Sequence, residues 1–213
     1  MLQNEAREKQ ANYWKTTANS YDRSISFLDR RFLAKSRAWV CSRASGKTLE
    51  VAVGTGLNLA YYPQGIKLFG LEFSRPMMQG ALVKSARLNF KAAFTQGDAM
   101  ALPYADESFD TVVCSYGLCG FTDERSALAE MQRVLKPGGS LLLADHIVSS
   151  NLFIRGLQQL LEFYSISAHG EHFRRRPRLH LESLGFVIEA AERMSFGVIE
   201  RVHARKVCTP ENK

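Results

Sequence analysis

Leu49-Glu50-Val51-Ala52-Val53-Gly54-Thr55-Gly56-Leu57-Asn58 is the stretch from which the fold can be read. An apolar, β-branched run carries one acid and then small residues at alternate positions. That pattern predicts a buried strand running into a tight glycine turn, with a helix beginning on the far side. Glycine permits a sharp turn and lets a ligand approach the backbone without a Cβ in the way. A helix beyond the turn would aim free N–H groups at its mouth, as in the first βα unit of a nucleotide site.

Outward from the turn, strand and helix alternate. Strands are expected at Ile66–Glu72, Ala92–Gln96, Phe109–Cys114 and Ser140–Ala144. Helices are expected from Ser74 onward, with Pro76 in the first turn, and from Asp123 to the stop at Pro137-Gly138-Gly139. This order predicts an α/β, doubly wound Rossmann-like sheet with right-handed crossovers. Two late strands, Phe186–Glu189 and Val198–Val202, add a C-terminal antiparallel strand at the sheet edge, making about seven strands, mostly parallel. Ahead of the turn, residues 3–20 read as a helical arm closed by turn chemistry at Asn19-Ser20-Tyr21-Asp22. Residues 23–43 read as an amphipathic helix with Arg30, Arg31, Lys35 and Arg37 on a basic outer face.

The residues around the turn discriminate between ligands. The dinucleotide pattern G-x-G-x-x-G fails because Leu59 stands at its third glycine, and no G-x-x-x-x-G-K-[ST] loop occurs. Instead, Glu50, Glu72 and Asp98 fall toward the carboxyl ends of three neighbouring strands, the edge where such sheets bind ligands. Three carboxylates disfavour a polyphosphate. They suit a ligand presenting an amine, a ribose diol and an adenine amino group, which S-adenosylmethionine does.

Five ordered pieces carry a family resemblance: Glu50–Gly56, Gly70-Leu71-Glu72-Phe73-Ser74 with Met77, Gly97-Asp98-Ala99 with Leu102-Pro103, Ser108–Val112 and Arg133–Gly139. With them, residues from about 49 to 146 resemble the class I S-adenosylmethionine-dependent methyltransferases, in the type 11 branch that includes the quinone-biosynthesis enzymes. The resemblance implies a turn of Gly54 and Gly56 under the methionine part of the cofactor, with Glu50 near its amino group. It implies Glu72 on the ribose hydroxyls, Phe73 and Met77 against the adenine, and Asp98 on the adenine amino group. Ala99 and Met100 would lie beside the ring, Ser115 would close the site through its backbone, and Tyr21 resembles the tyrosine of a Tyr-Asp pair that closes over the cofactor. Two departures stand out. Ala52 replaces the usual first glycine, which the strand side of the turn would tolerate. Leu118-Cys119-Gly120 stands where the family often has a histidine.

Methyl transfer from a sulfonium is an in-line displacement that needs alignment and a dry pocket, and a base only where the acceptor must lose a proton. His146, after the fifth strand, is the candidate base or orienting group; a polar strand-end residue is the alternative. His169, Glu171 and His172 are too irregularly spaced to predict a metal site. Arg174 to Arg178 could clamp an anion or face solvent. Cys119 reads as a small apolar residue rather than a nucleophile. Tyr13, Trp14, Phe153, Phe163 and Tyr164 could line an acceptor pocket, with core packing as the alternative.

The chain of 213 residues has 46% hydrophobic and 23% charged residues, ordinary for a globular enzyme. It reads as one domain: a helical arm or lid at 1–48, a cofactor core at 49–146, an acceptor-side helical insert at 147–185 and a hairpin at 186–206. The net charge of +7 sits in the flanks. Residues 1–48 hold ten Lys/Arg against four Asp/Glu, whereas residues 49–150 hold eight against ten. Such flanks suit an anionic substrate, an anionic membrane surface under residues 23–43, or plain solvation. Four scattered cysteines, no signal-like N-terminus and no long apolar run lead to the expectation of a cytoplasmic enzyme, with peripheral membrane contact left open. The expected partner is a small-molecule acceptor with an N, O, S or C centre. A phospholipid headgroup, quinone or thiol at a membrane surface is the alternative. A nucleic-acid or non-catalytic role is disfavoured, because Cys114-Ser115-Tyr116-Gly117 replaces the Asn-Pro-Pro-Tyr type motif.

Overall fold

The computed structural model describes residues 2–208, apart from the side chains of residues 2–8 and 167–169. Helix α1 runs unbroken over Leu2–Leu28, passes through a π-helical segment at Asp29–Leu33 and continues as α2 at Ala34–Cys41. The expected turn at residues 19–22 does not form. No glycine or proline occurs before Gly46, so nothing local opposes helix propagation there, and Asn19 and Ser20 sit exposed on the helix.

The remaining elements are β1 (Lys47–Val51), β2 (Lys67–Glu72), α3 (Arg75–Arg87), β3 (Ala92–Gln96), β4 (Phe109–Ser115), α4 (Glu124–Val134), β5 (Leu135–His146), α5 (Leu152–His169), α6 (Arg178–Leu181), β6 (Phe186–Met194) and β7 (Ile199–Lys206). They form one seven-stranded sheet in the order β3-β2-β1-β4-β5-β7-β6. The first five strands are parallel, and β7 is antiparallel to both neighbours. The antiparallel strand is therefore slotted between β5 and β6, and the edge belongs to β6 rather than to the last strand. Strand β5 also begins earlier than the pattern predicts and includes Pro137-Gly138-Gly139, with a register shift against β4 between Phe109 and Thr111.

Period-two alternation places the core on both faces of the sheet. In β4, Val112 packs with Leu49, Val51, Met131 and Leu141 on one face, and Val113 with Trp39, Leu59, Tyr62 and Leu142 on the other. Helix α4 covers the first face: Ala127, Leu128, Met131 and Val134 are fully buried at helical spacing, and the Asp123 side chain caps its first turn. Each such large side chain contributes roughly 1.5–3 kcal/mol on burial. The strand order reverses between β1 and β4, which opens a crevice above their carboxyl ends.

Candidate cofactor site

The glycine turn lies at the mouth of that crevice. Its backbone is left-handed at Ala52 (φ 59°), Gly54 (φ 57°) and Gly56 (φ 78°). Ala52 is thus inside the turn, not on the strand side, and bears the cost that glycine would avoid. A Cβ on Gly56 would stand 2.8 Å from Leu59 Cδ1 and 3.1 Å from Ala81 Cα, so this glycine lets α3 pack close. The helix expected after the turn shrinks to one 3-10 turn, Leu59–Tyr61. Pro63 and the short distance to β2 leave no room for more.

The turn spends its N–H on a side chain. Gly54 N donates to Glu72 Oε2 (2.9 Å), and Ser74 N donates to Glu72 Oε1 (2.9 Å). Burial pushes the Glu72 pKa up, and these backbone donors oppose it. A buried carboxylate over the turn repels phosphate, as the sequence pattern predicted.

Around it opens a cavity of about 980 Å³ including its mouth. Its floor carries Ala52, Gly54, Glu72, Phe73 and Met77 from the first two βα units, and Asp98, Ala99 and Met100 from the loop after β3. Ser115 and Tyr116 come from the end of β4. Asp98 Oδ1 accepts from Met100 N (2.9 Å), which sets the loop. The roof is Gln10, Trp14 and Tyr21 of α1 with Glu171 of the insert. Asp22 latches the arm down: Thr55 Oγ1 donates to Asp22 Oδ1 (2.5 Å), and Lys84 Nζ pairs with Asp22 Oδ2 (2.7 Å). Gln10 Nε2 donates to Gly120 O across the far rim. Burial raises the Tyr21 pKa to about 12, so the phenol stays protonated.

Arg37 occupies a place the sequence pattern did not assign to it. Far from an outer face, it is 5% exposed and lines the cavity. Its Nε pairs with the buried Asp29 (2.7 Å), and Nη1 donates to Asn58 Oδ1 (3.0 Å) and Ser115 Oγ (3.2 Å). Tyr116 lies 4.7 Å beneath the guanidinium. Burial alone would lower its pKa; Asp29 outweighs burial and keeps the cation. Glu50, expected at the ligand, stands behind this layer and outside the lining. Asn58 Nδ2 (2.8 Å) and Tyr62 OH (3.0 Å) donate to its two oxygens. Burial raises its pKa to about 7. Ser115 acts through its hydroxyl, which accepts from Asn58 (2.7 Å) and Arg37, rather than through backbone alone.

His146 ends β5 on the ligand edge but does not line the cavity. Its ring packs on Tyr116 (5.2 Å) and Phe173 (5.6 Å), and Nδ1 has no hydrogen-bond partner among the described residues. Burial holds the imidazole below its ordinary pKa against the pull of Asp145, so it is neutral near pH 7. Asp145 accepts from Cys119 N (3.2 Å) and His146 N (2.7 Å), bracing the loop after β4. Cys119 is buried and its thiol is pushed up by burial, which fits the inert reading. The arginine run is structural in part: Arg174 pairs with Glu162, and Arg175 Nη1 donates to Leu118 O (2.7 Å) and Phe121 O (2.6 Å). The His169 side chain lies outside the described residues. Of the candidate pocket aromatics, Trp14 reaches the cavity, whereas Phe153, Phe163 and Tyr164 point outward and belong to neither core nor pocket.

The sequence reading missed Arg37, Asn58, Asp22, Gln10 and Glu171. For Arg37 a signal existed: it is four residues from Leu33 and from Cys41 and three from Val40, all buried, so it shares their stripe.

A reversed strand order, a glycine turn answered by a carboxylate on the next strand, and an acid after the third strand together make a site suited to a nucleoside-type ligand on a Rossmann-like sheet. Residues 49–143 match the family described as "Methyltransferase domain". Over 167 residues the chain is 34% identical to the demethylmenaquinone methyltransferase of Roseiflexus castenholzii, covering 76% of this chain and 64% of that protein. It is 36% identical over 121 residues to the Deinococcus radiodurans protein of the same name, covering 55% and 50%. It is 32% identical over 128 residues to a phosphatidylethanolamine N-methyltransferase of Cereibacter sphaeroides, covering 59% and 63%. The chain thus spans about half to just under two thirds of the length of these curated relatives. Among solved structures, a SAM-dependent methyltransferase from Thermotoga maritima, a possible histamine N-methyltransferase, superposes with a TM-score of 0.68 at 25% identity, covering 91% of this chain and 98% of that one. Over residues 49–143 the chain matches a methyltransferase domain, and its fold and relatives support a class I S-adenosylmethionine-dependent methyltransferase.

The cofactor of that family is S-adenosylmethionine, and the residues present fit it. Glu72 offers buried acceptor oxygens on the turn side, and Met77 and Ala99 offer buried apolar surface beside it.

Proposed function

We propose that this chain transfers the methyl group of S-adenosylmethionine to a small-molecule acceptor held beneath the N-terminal arm. The observation that carries the proposal is the polarity of the cavity. Two carboxylates, Glu72 at the end of β2 and Asp98 after β3, stand on one side of the floor, with Glu171 in the roof; one cation, Arg37, stands beside the end of β4. A nucleoside with hydroxyl and amino donors suits the first side, and an amino-acid carboxylate suits the second.

The bound cofactor supplies a methyl group already activated on a sulfonium. What remains for the protein is to bind, align and keep out water. Glu72 accepts from the ribose hydroxyls, and Asp98 from the adenine amino group, with Phe73, Met77, Ala99 and Met100 around the ring. Gly54 leaves space for the methionine portion, and Arg37, with Ser115 and Asn58 holding it, takes the carboxylate. Glu50 orients Asn58. Tyr21 closes the roof, and the arm (1–48) and insert (147–185) form the acceptor lid. His146, packed on the lining residue Tyr116 but outside the lining itself, would orient that ring toward the acceptor, and would serve as base only for an acceptor that reaches past Tyr116.

A second reading is favoured by two observations: relatives named for a quinone and a phospholipid, and apolar side chains exposed on the insert. In it, the acceptor is lipid-borne and the enzyme works at a membrane surface. No helix among the described residues is long and apolar enough to cross a membrane, so this reading requires surface contact.

The test is a labelled-methyl assay against pooled metabolites, thiols, quinones and lipid extracts, with S-adenosylmethionine binding measured by calorimetry. Wild-type protein is expected to bind the cofactor and label one pool, and Glu72→Ala to lose both. Wild-type affinity in Glu72→Ala would sink the cofactor assignment.

A further inference from the structure

Helix α5 is inside out. Its buried stripe is polar: Gln158, Glu162 and Ser165 are 8%, 5% and 3% exposed at helical spacing. Each has an anchoring task. Gln158 Oε1 accepts from Ser149 N and its Nε2 donates to Ile147 O (both 2.8 Å). Glu162 pairs with Arg174, and Ser165 Oγ donates to Glu171 O (2.8 Å). Its outward face is apolar: Phe153 is 83% exposed, Leu160 72%, Phe163 81% and Tyr164 72%, with Leu152 and Leu157 between them. A globular helix in water shows the opposite arrangement.

The apolar surface extends beyond the helix. Phe196, 80% exposed, adjoins the N-terminal end of α5, since Ser149 Oγ donates to Phe196 O (2.7 Å). Met194, the last residue of β6, accepts from the buried Ser36 (3.5 Å), which lies one helical turn from the exposed Phe32. The border is basic. Arg30, Arg31 and Lys35 flank Phe32, and Arg176 follows α5 in the insert, all four exposed. Asp29 is buried on Arg37, Glu162 takes up Arg174, and Glu171 faces the cavity, so Arg30, Arg31, Lys35 and Arg176 are left as the outward cations.

Taking up the membrane reading above and naming its surface, we propose that the outer face of α5, continued by Phe196 and Phe32, lies in the interfacial plane of an anionic lipid bilayer. The helix buries its aromatic and leucine side chains among acyl chains, and the arginine border meets headgroup phosphates. Charge favours a bilayer over a second copy of this chain. A two-fold interface through this face would bring the basic border against its own image. The same insert supplies Glu171 to the cavity roof, so docking would set the lid beside the source of a lipid-borne acceptor.

The experiment is vesicle co-sedimentation of the full chain, with phosphatidylglycerol–phosphatidylethanolamine vesicles against pure phosphatidylcholine, alongside light scattering for oligomeric state. Wild type is expected to sediment with the anionic vesicles. Phe153→Ser, Leu160→Ser and Phe163→Ser combined is expected to weaken sedimentation about 100-fold or more. Arg30→Glu with Arg31→Glu is expected to weaken it about tenfold at low salt. Cofactor affinity in calorimetry, unchanged in the triple-serine variant, certifies its fold. Wild type left in the supernatant overturns both this inference and the membrane reading. Wild-type sedimentation by the triple-serine variant overturns the assignment of this face while the membrane reading survives. A wild-type dimer that the serine variant converts to monomer identifies the face as an interface between copies and overturns the proposal.

Discussion

Replacing Arg37 with methionine tests the central claim about the cavity, because stability and ligand binding should separate. The substitution keeps an unbranched chain but removes the guanidinium. Asp29, 8% exposed, is then a buried carboxylate without its cation, Asn58 Oδ1 loses its donor, and Ser115 Oγ keeps only Asn58 of its two donors. Removing one partner of a buried pair typically costs about 3–5 kcal/mol. For a chain of this size that is a fall in melting temperature of roughly 6–20 °C. Adding Asp29→Asn removes the stranded charge and should restore most of the loss. Cofactor affinity should not recover with it. Nη2 has no hydrogen-bond partner among the described residues, and a charge-assisted bond from it to a ligand carboxylate contributes about 1.5–3 kcal/mol. The double variant should therefore melt near the wild type yet bind S-adenosylmethionine roughly 10- to 150-fold more weakly in calorimetry. A double variant that binds within twofold of wild type would refute the carboxylate assignment. A single variant that melts with wild type would refute the burial of the ion pair.

Two further outcomes follow from the turn and its backing. Glu50 has a folded pKa of about 7 against an ordinary value near 4.5, so its contribution to stability is fully present below about pH 4.5 and is lost as pH rises through 7. The loss is about 3 kcal/mol; in urea titrations Glu50→Gln should gain on wild type across that window, and parallel pH profiles would refute it. Ala52→Gly relieves a left-handed alanine and should raise the melting temperature by roughly 2–4 °C; a decrease would mean that the Ala52 methyl contact is worth more than the strain.

The sheet was legible because its strands obey simple periodicities. Leu49–Val51, Phe69–Leu71 and Val112–Cys114 are mostly apolar runs with Glu50 the one acid among them, and their alternation with helical segments predicts parallel pairing with crossovers. The acids at strand ends, Glu72 above all, could be placed by the same reasoning. Strand boundaries in the last third could not, because β6 is half-buried or exposed after its first residue and its alternation carries little hydrophobic signal. The insertion of β7 between β5 and β6 was equally invisible, since a hairpin sequence does not say which of its strands meets the sheet. The unbroken α1 was misjudged by giving weight to Asn19, Ser20 and Asp22 as cap residues. Asp22 is used instead as a tertiary latch onto Thr55 and Lys84, a partner choice made 33 and 62 residues away.

The two largest departures share one cause. Reading burial from polarity assumes that charged residues face water and apolar ones face the core; Arg37 and α5 invert that assumption in opposite directions. An arginine is worth burying only where its hydrogen bonds are completed, and Asp29, Asn58 and Ser115 complete most of them while one nitrogen stays available at the cavity. A leucine-rich face is worth exposing only where something other than water covers it in use. Both inversions cost folding free energy in isolation; Arg37 stands in the cavity wall, and α5 belongs to the insert that supplies Glu171 to its roof. A chain selected for stability alone would replace Arg37–Asp29 with apolar residues and α5 with an ordinary amphipathic helix. Restoring the ordinary pattern on α5 should therefore raise solubility without harming cofactor binding, and a loss of turnover confined to lipid-borne acceptors would locate the purpose of the inversion in acceptor delivery.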